Sequence, residues 1–304
     1  MLVSTSIEVL DKRFGRKEAI RLVAEAGFDA YDLTLCSMSR EDEFLGDNWR
    51  ELAQEYRRYA DSLGIVCNQS HAPMPSSFAD PEQNEARFQL FLRALEIASI
   101  AGAKSIVIHP VQHLAYVSHV EELKQKNKEF FARLMPYAEK FGVKIATENM
   151  WQVMKYWVDG GWEEPDEYRN PIVDGPCATG EEFAAYIDQV DSPYLVACLD
   201  LGHAVLAHHD PAAMIRALGP RLQALHVHDV DGKDDLHTAP FVSVGVVDFD
   251  AVTTALAEID YQGDITFEAL RVFSRVPEAL IPQTARYLYE IGRYLADEVE
   301  RKKK

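Results

Sequence analysis

Residues 102–149 read GAKSIVIHPVQHLAYVSHVEELKQKNKEFFARLMPYAEKFGVKIATEN, and this stretch decides the fold. An apolar run near 104–108 ends at His109-Pro110, and an amphipathic segment follows over 119–141. Gly142 stops that segment, and a second apolar run over 143–148 ends at Glu148. Short apolar runs bounded by turn residues read as buried strands, while longer segments of 3.6-residue period read as helices. A strand, a helix and a second strand in that order make a crossover unit with parallel strands.

The unit repeats from end to end. Strands are expected near 2–5, 28–34, 64–70, 104–108, 143–148, 194–200, 222–228 and 263–269. Helices are expected over 16–26, 48–63, 83–102, 119–141, 180–190, 211–218, 248–260 and 277–297. Asp80-Pro81 and Asp210-Pro211 are helix starts, and Gly27, Gly102, Gly142 and Gly263 punctuate helix ends before strands. Eight alternations predict a closed (β/α)8 TIM barrel, and 304 residues suit a single barrel domain of about 250 residues plus insertions. The competing open, doubly wound sheet lacks its G-x-G-x-x-G turn here.

Two segments fall outside the repeat. Residues 150–179, after the fifth strand, carry no helical period but hold Trp151, Tyr156, Trp157, Trp162 and Tyr168. Long loops without secondary structure tend to be functional, so a lid-like insertion is expected, with Trp151 at its base. Residues 298–304, with the basic run Arg301–Lys304, read as a solvated tail.

Composition narrows the partners. Asp and Glu number 49 against 31 Lys and Arg, a formal charge of −18, which repels phosphate backbones and anionic lipid. Nucleic acid and membrane are therefore not expected. The four cysteines form no C-x-x-C pair, which fits scattered thiols in a reducing compartment. Glu8 and Asp11 interrupt any signal-peptide pattern, and the longest stretch free of charged residues, 62–79, contains Asn68, His71, Pro73 and Pro75. A cytoplasmic protein is expected, with homo-oligomerisation left open.

Chemistry in such barrels sits at the C-terminal ends of the strands. Six consecutive strand ends here carry groups that can bind a metal. They are His71; His109; Glu148; Asp200 with His203; His226, followed by His228, Asp229, Asp235 and His237; and Glu268. A single histidine after a strand reads more simply as a packed or capping residue, and Asp229, Asp231 and Gly232 as turn chemistry. Glutamates closing apolar runs are harder to explain that way, because Glu is rarely buried unless paired or coordinating. Oxygen and imidazole donors without thiolates suit Mn²⁺, Zn²⁺, Co²⁺ or Mg²⁺.

The ordered set H-A-P, H-P, E-N, D-x-G-H, H-x-H-D…D-x-H and F-E resembles the xylose isomerase-like TIM barrel superfamily over roughly residues 2–296. Its sugar-epimerase branch implies one divalent metal on Glu148, Asp200, His226 and Glu268. There the two glutamates also serve as the acid/base pair, and His203 helps bind substrate. The endonuclease IV branch implies the same four ligands plus His71, His109, His203, Asp235 and His237, holding up to three Zn²⁺ for phosphodiester chemistry. The −18 charge weighs against that branch, as do six acidic residues against Lys155 and Arg169 within 151–177. The expectation is thus a metal-dependent sugar or polyol isomerase or epimerase working through an enediolate. A trinuclear-zinc phosphodiesterase and a dehydratase or lyase are the alternatives.

Overall fold

The computed structural model describes residues 1–303 except 40, 154, 155, 159, 160, 164–171 and 243. Eight strands form one sheet: β1 (Val3–Ser6), β2 (Ala30–Thr34), β3 (Val66–His71), β4 (Ser105–Val107), β5 (Lys144–Glu148), β6 (Leu195–Asp200), β7 (Leu222–His226) and β8 (Ile265–Phe267). Their order is β7-β6-β5-β4-β3-β2-β1-β8, and every neighbouring pair is parallel. A parallel bridge between Val227 and Phe267 joins the two ends. There the Val227 amide donates to Thr266 O at 2.8 Å and the Glu268 amide to Val227 O at 3.2 Å. The sheet is a closed (β/α)8 barrel.

The helices form where the apolar period and caps place them. Asp80 and Asp210 each accept a backbone N–H from the second residue on, with proline at the first helical position. The helix Pro81–Ala101 then stops at Gly102, whose φ of 93° is a left-handed conformation that costs glycine little. Gly263 differs from the expected role, because the helix before it ends at Glu258. A Cβ at Gly263 would stand 2.2 Å from the Tyr261 hydroxyl, so close packing at the start of β8 requires the glycine. The main core lies between strands and helices, and a smaller one of Val107, Ala146, Val196, Cys198 and Ala224 is made by strand residues alone.

Two expectations are corrected. The C-terminal helix runs Ile281–Lys302 with Val299 fully buried, so most of 298–304 is helix rather than tail. Lys302 Nζ reaches the Asp250 carbonyl at 2.8 Å and the Thr253 hydroxyl at 2.9 Å, which anchors the end. The segment after β5 contains regular structure: Trp151–Val153 pairs antiparallel with Ile172–Asp174, and Tyr156–Val158 with Gly161–Glu163. A period-2 signal spread over three-residue strands is too short to read from sequence. Tyr168 and the other residues of 164–171 lie outside the described residues. No helix among the described residues is long and apolar enough to cross a membrane.

Candidate metal centre

Parallel register brings the strand ends to a common level. Glu148 on β5 stands opposite Cys198 on β6, and Asp200 on β6 opposite His226 on β7. Glu268 follows β8 directly. One ligand atom from each of Glu148, Asp200, His226 and Glu268 lies within 4.8 Å of the others. His226 Nδ1 is at the middle, 3.2 Å from Glu148 Oε1, 3.3 Å from Glu268 Oε2 and 3.9 Å from Asp200 Oδ2. Glu148, Asp200 and His226 are buried, and Glu268 keeps a partly open edge.

Three further groups adjoin this one, among them His228, His237 and Glu268. His109 Nε2 lies 3.1 Å from Glu148 Oε2 and 3.2 Å from His71 Nε2, which makes His71, His109 and Glu148 one group. On the other side Asp235 Oδ2 lies 3.4 Å from His203 Nε2 and 3.1 Å from His237 Nε2. All nine His, Asp and Glu residues expected at the site therefore converge at one mouth. Trp151 joins them at the rim, its ring edge-on to His203 at 6.4 Å between centroids and 70° between planes.

Residues outside the nine expected ligands complete the surroundings. His228, fully buried, places Nε2 2.9 Å from both oxygens of Asp200. Gly202 makes room for it, since a Cβ there would sit 2.1 Å from His228 Cε1. Asn149 clasps the Asp200 backbone, donating Nδ2 to Asp200 O at 2.9 Å and accepting the Asp200 amide at 2.7 Å. Cys36 Sγ lies 3.2 Å from His71 Nδ1, and buried Asp32 accepts from Gln69 Nε2 at 2.7 Å. The alternation in H226-V-H228 hinted that both rings share a face, and Asn149 adjoins Glu148. Nothing in the sequence marked Asp32 or Cys36.

Charge is balanced by proton sharing. Burial raises the Glu148 carboxyl, but His226 and His109 outweigh it and hold it well below the usual range. Asp200 is likewise lowered, with burial opposed by His203 and His228. Burial lowers the His71 imidazole, yet Cys36, Glu268 and Glu148 carry it up to about 10. His237 is pushed up to about 9, its bond to Asp235 outweighing burial. His226 and His203 are raised in the same way. Raised imidazoles of His71, His203, His226 and His237 thus face the lowered carboxyls, while burial lowers His109.

The donor set fits a divalent cation. Glu148 Oε2, Asp235 Oδ1 and His228 Nδ1 are buried with no hydrogen-bond partner aligned on them, although buried polar atoms are normally satisfied. Three carboxylates and an imidazole around one point are a hard-to-borderline set suited to Mn²⁺, Zn²⁺, Co²⁺ or Mg²⁺.

The fold and this geometry define a closed barrel with a candidate metal site at its mouth. The chain belongs to the xylose isomerase-like TIM barrel family, which it matches over residues 20–291. An L-ribulose 3-epimerase of Methylomonas sp. strain DH-1 is 26% identical over 260 residues, covering 84% of this chain and 78% of that protein. The crystal structure of a D-tagatose 3-epimerase-like protein superposes with a TM-score of 0.73 at 22% identity, over 99% of both chains. A crystal structure of IolI protein with a bound zinc atom gives a TM-score of 0.69 at 18% identity, also over 99% of both.

Proposed function

We propose that this chain is a divalent-metal-dependent epimerase or isomerase of a sugar or polyol. The observation that carries the reading is the meeting of Glu148 and Glu268, from opposite sides of the barrel mouth, on one small volume with Asp200 and His226. The likeness to an L-ribulose 3-epimerase supports the substrate class. Four free cysteines fit a reducing, cytoplasmic setting.

Glu148, Asp200, His226 and Glu268 would hold the cation, and when bound it supplies Lewis-acid polarisation of a carbonyl oxygen. One glutamate oxygen takes the proton from the carbon beside that carbonyl, and the C–H electron pair passes into an enediolate. The other glutamate returns a proton from the opposite face, which inverts the centre. Glu148 Oε2, whose one close neighbour is His109 Nε2 at 3.1 Å, would make one of these transfers. His109 and His203, on either side of Glu148, are placed to hydrogen-bond substrate hydroxyls. Trp151 offers an aromatic face at the rim, beside His203. Incubation with a panel of ketoses and polyols in D₂O tests the reading. Carbon-bound deuterium by NMR is expected, and its absence across the panel with metal-loaded protein counts against the reading.

The two flanking clusters favour a second reading, a trinuclear-zinc phosphodiesterase. His71, His109 and Glu148, and His203, Asp235 and His237, each offer three donor atoms within 4.8 Å of one another. The charge of −18 disfavours a nucleic-acid substrate. Metal content of the purified protein separates the two: about one ion per chain supports the epimerase, and near three zinc ions with incision of an abasic-site duplex supports the phosphodiesterase.

A further inference from the structure

A cavity of about 820 Å³ opens at the opposite end of the barrel from the metal centre, where the strands begin. It lies between Ser105 and Lys144, the first residues of β4 and β5, and Ala224 and Thr266 on β7 and β8. Small-molecule sites take about 300–1,000 Å³, so the space suits an organic ligand rather than a lone ion. The sequence makes this room. Barrel interiors are ordinarily filled by layers of Val, Ile and Leu, and here Ser105, Ala224 and Thr266 line the lower end instead. Ala224 also belongs to the core made by strand residues alone, in which Ala146, Cys198 and Ala224 each stand two residues before a central ligand. That layer separates the cavity from the metal centre.

The polar groups around the cavity are unevenly satisfied. Asn68 is fully used: Nδ2 donates to Asp264 Oδ2 and Thr266 Oγ1 at 3.2 Å each, and Oδ1 accepts the Ser4 hydroxyl at 2.8 Å. Asp264 also takes the Leu2 amide and Lys104 Nζ, each at 3.2 Å. The Ser105 hydroxyl, on a residue 7% exposed, makes no hydrogen bond among the described residues, whereas buried polar groups normally do. Ser105 is paired across the sheet with Lys144. Lys144 Nζ makes one hydrogen bond, to Gln223 Oε1 at 2.6 Å, and no ion pair among the described residues. An ammonium group has three donors, so two remain for a ligand. Lys303 Nζ reaches Asp260 at 3.1 Å, which sets Lys104, Lys144 and Lys303 against Asp260 and Asp264. One cation among these groups is thus unmatched, in a chain whose formal charge is −18.

We propose that this cavity is a second small-molecule site, one that takes a polyhydroxylated carboxylate such as a sugar acid. The carboxylate would meet Lys144, and the hydroxyls would meet Ser105 and the Gln262 amide in the same space. The proposal goes beyond the epimerase reading and does not depend on it.

Calorimetric titration of metal-loaded protein with D-gluconate, D-sorbitol and inorganic phosphate tests the proposal. Gluconate should bind with a dissociation constant below about 1 mM and slow amide exchange across 259–264. Sorbitol has the hydroxyls without the charge, and phosphate the charge without the carbon chain, so each should bind at least tenfold more weakly. Lys144→Gln should weaken gluconate binding at least tenfold and Ser105→Ala at least threefold, the size of a lost charged and a lost neutral hydrogen bond. Metal content and the circular dichroism spectrum should stay unchanged in both. Ser105→Ala deletes a hydroxyl that holds nothing in the fold, so it serves if Lys144→Gln does not fold. Absence of gluconate binding at about 10 mM overturns the proposal. So does gluconate affinity that both folded variants retain, which assigns the ligand to the metal centre, or phosphate that binds as tightly as gluconate.

Discussion

His228 Nε2 lies 2.9 Å from both carboxylate oxygens of Asp200, and both side chains are fully buried. A protonated Nε2 shared between two oxygens fixes the carboxylate plane before any cation arrives. Such outer partners typically account for 10–100-fold in metal affinity. His228→Ala should therefore weaken divalent-metal binding by about that factor, measured by competition with a chromogenic chelator, while Glu148, His226 and Glu268 remain. Unchanged affinity would make His228 a packing residue only.

The four central ligands should behave differently from their support. Glu148→Gln, Asp200→Asn, His226→Ala and Glu268→Gln should each lower metal occupancy and reduce turnover at least a thousandfold, the upper part of the range for general acid–base groups. Metal analysis alongside steady-state rates checks this. Full activity in any one variant removes that residue from the centre.

Protonation makes metal-free stability depend on pH. His71 rises from 6.5 to about 10 and His237 from 6.5 to about 9 on folding. Their contribution is complete below pH 6.5 and is lost as pH climbs towards 9 and 10. Glu148 and Asp200 are lowered on folding, so theirs is present above about pH 4.5 and is lost on acidification. Metal-free protein should melt highest between about pH 5 and 6.5. Added metal needs neutral imidazoles and should restore the melting temperature at pH 9. Thermal melts with and without a chelator check this, and a chelated protein equally stable at pH 6 and 9.5 contradicts it.

A structural ion cluster offers a control that contains none of the candidate ligands. Arg16 is 3% exposed and contacts Asp11 at 3.0 Å, Asp42 at 3.1 Å and Glu43 at 2.8 Å. Asp42 is equally buried and also caps the turn at Glu43–Leu45 by accepting the Phe44 amide. Arg16→Met leaves that carboxylate uncompensated, which typically costs about 3–5 kcal/mol. Urea unfolding should show a loss of this order. A loss under about 1 kcal/mol would mean that the three carboxylates relax into water.

The barrel was legible because crossover units repeat one rule: an apolar run, a polar group at its end, then a capped helix. Glu148, Asp200, His226 and Glu268 were readable since each ends a strand, and parallel register aligns strand ends. Asp32 and Cys36 were not readable, because their roles arise from contact with Gln69 and His71 on a neighbouring strand rather than from position in their own. The end of the C-terminal helix was misread because its last charges signal solvent, while Val299 between them is buried. The helices Glu8–Phe14 and Leu201–Leu206 were missed because seven and six residues span too few turns to show a period.

The insertion after β5 carries the last prediction. Trp151 starts it three residues beyond Glu148 and stands edge-on to His203, so the insertion begins beside the candidate metal site. Its base is tied down: Trp151–Val153 pairs with Ile172–Asp174, Gln152 Nε2 donates to Gln112 O at 3.1 Å, and His209 Nε2 lies 2.8 Å from Asp174 Oδ1. Removing what lies between these short strands should leave base and metal centre standing. Replacing 154–171 with a short Gly/Ser linker should keep metal content at the wild-type level. On the proposed reading turnover should fall at least tenfold, about 1.4 kcal/mol of barrier, because a shortened insertion gives water freer access to the mouth. Trp151→Ala should instead raise KM, since it removes a surface for the C–H face of a sugar and leaves the acid/base pair in place. An aromatic flap packed only on itself would give the opposite pattern: reduced thermal stability in the loop variant with unchanged kinetics. Measuring kcat, KM, metal content and melting temperature on both variants separates a cover over the mouth from a structural flap.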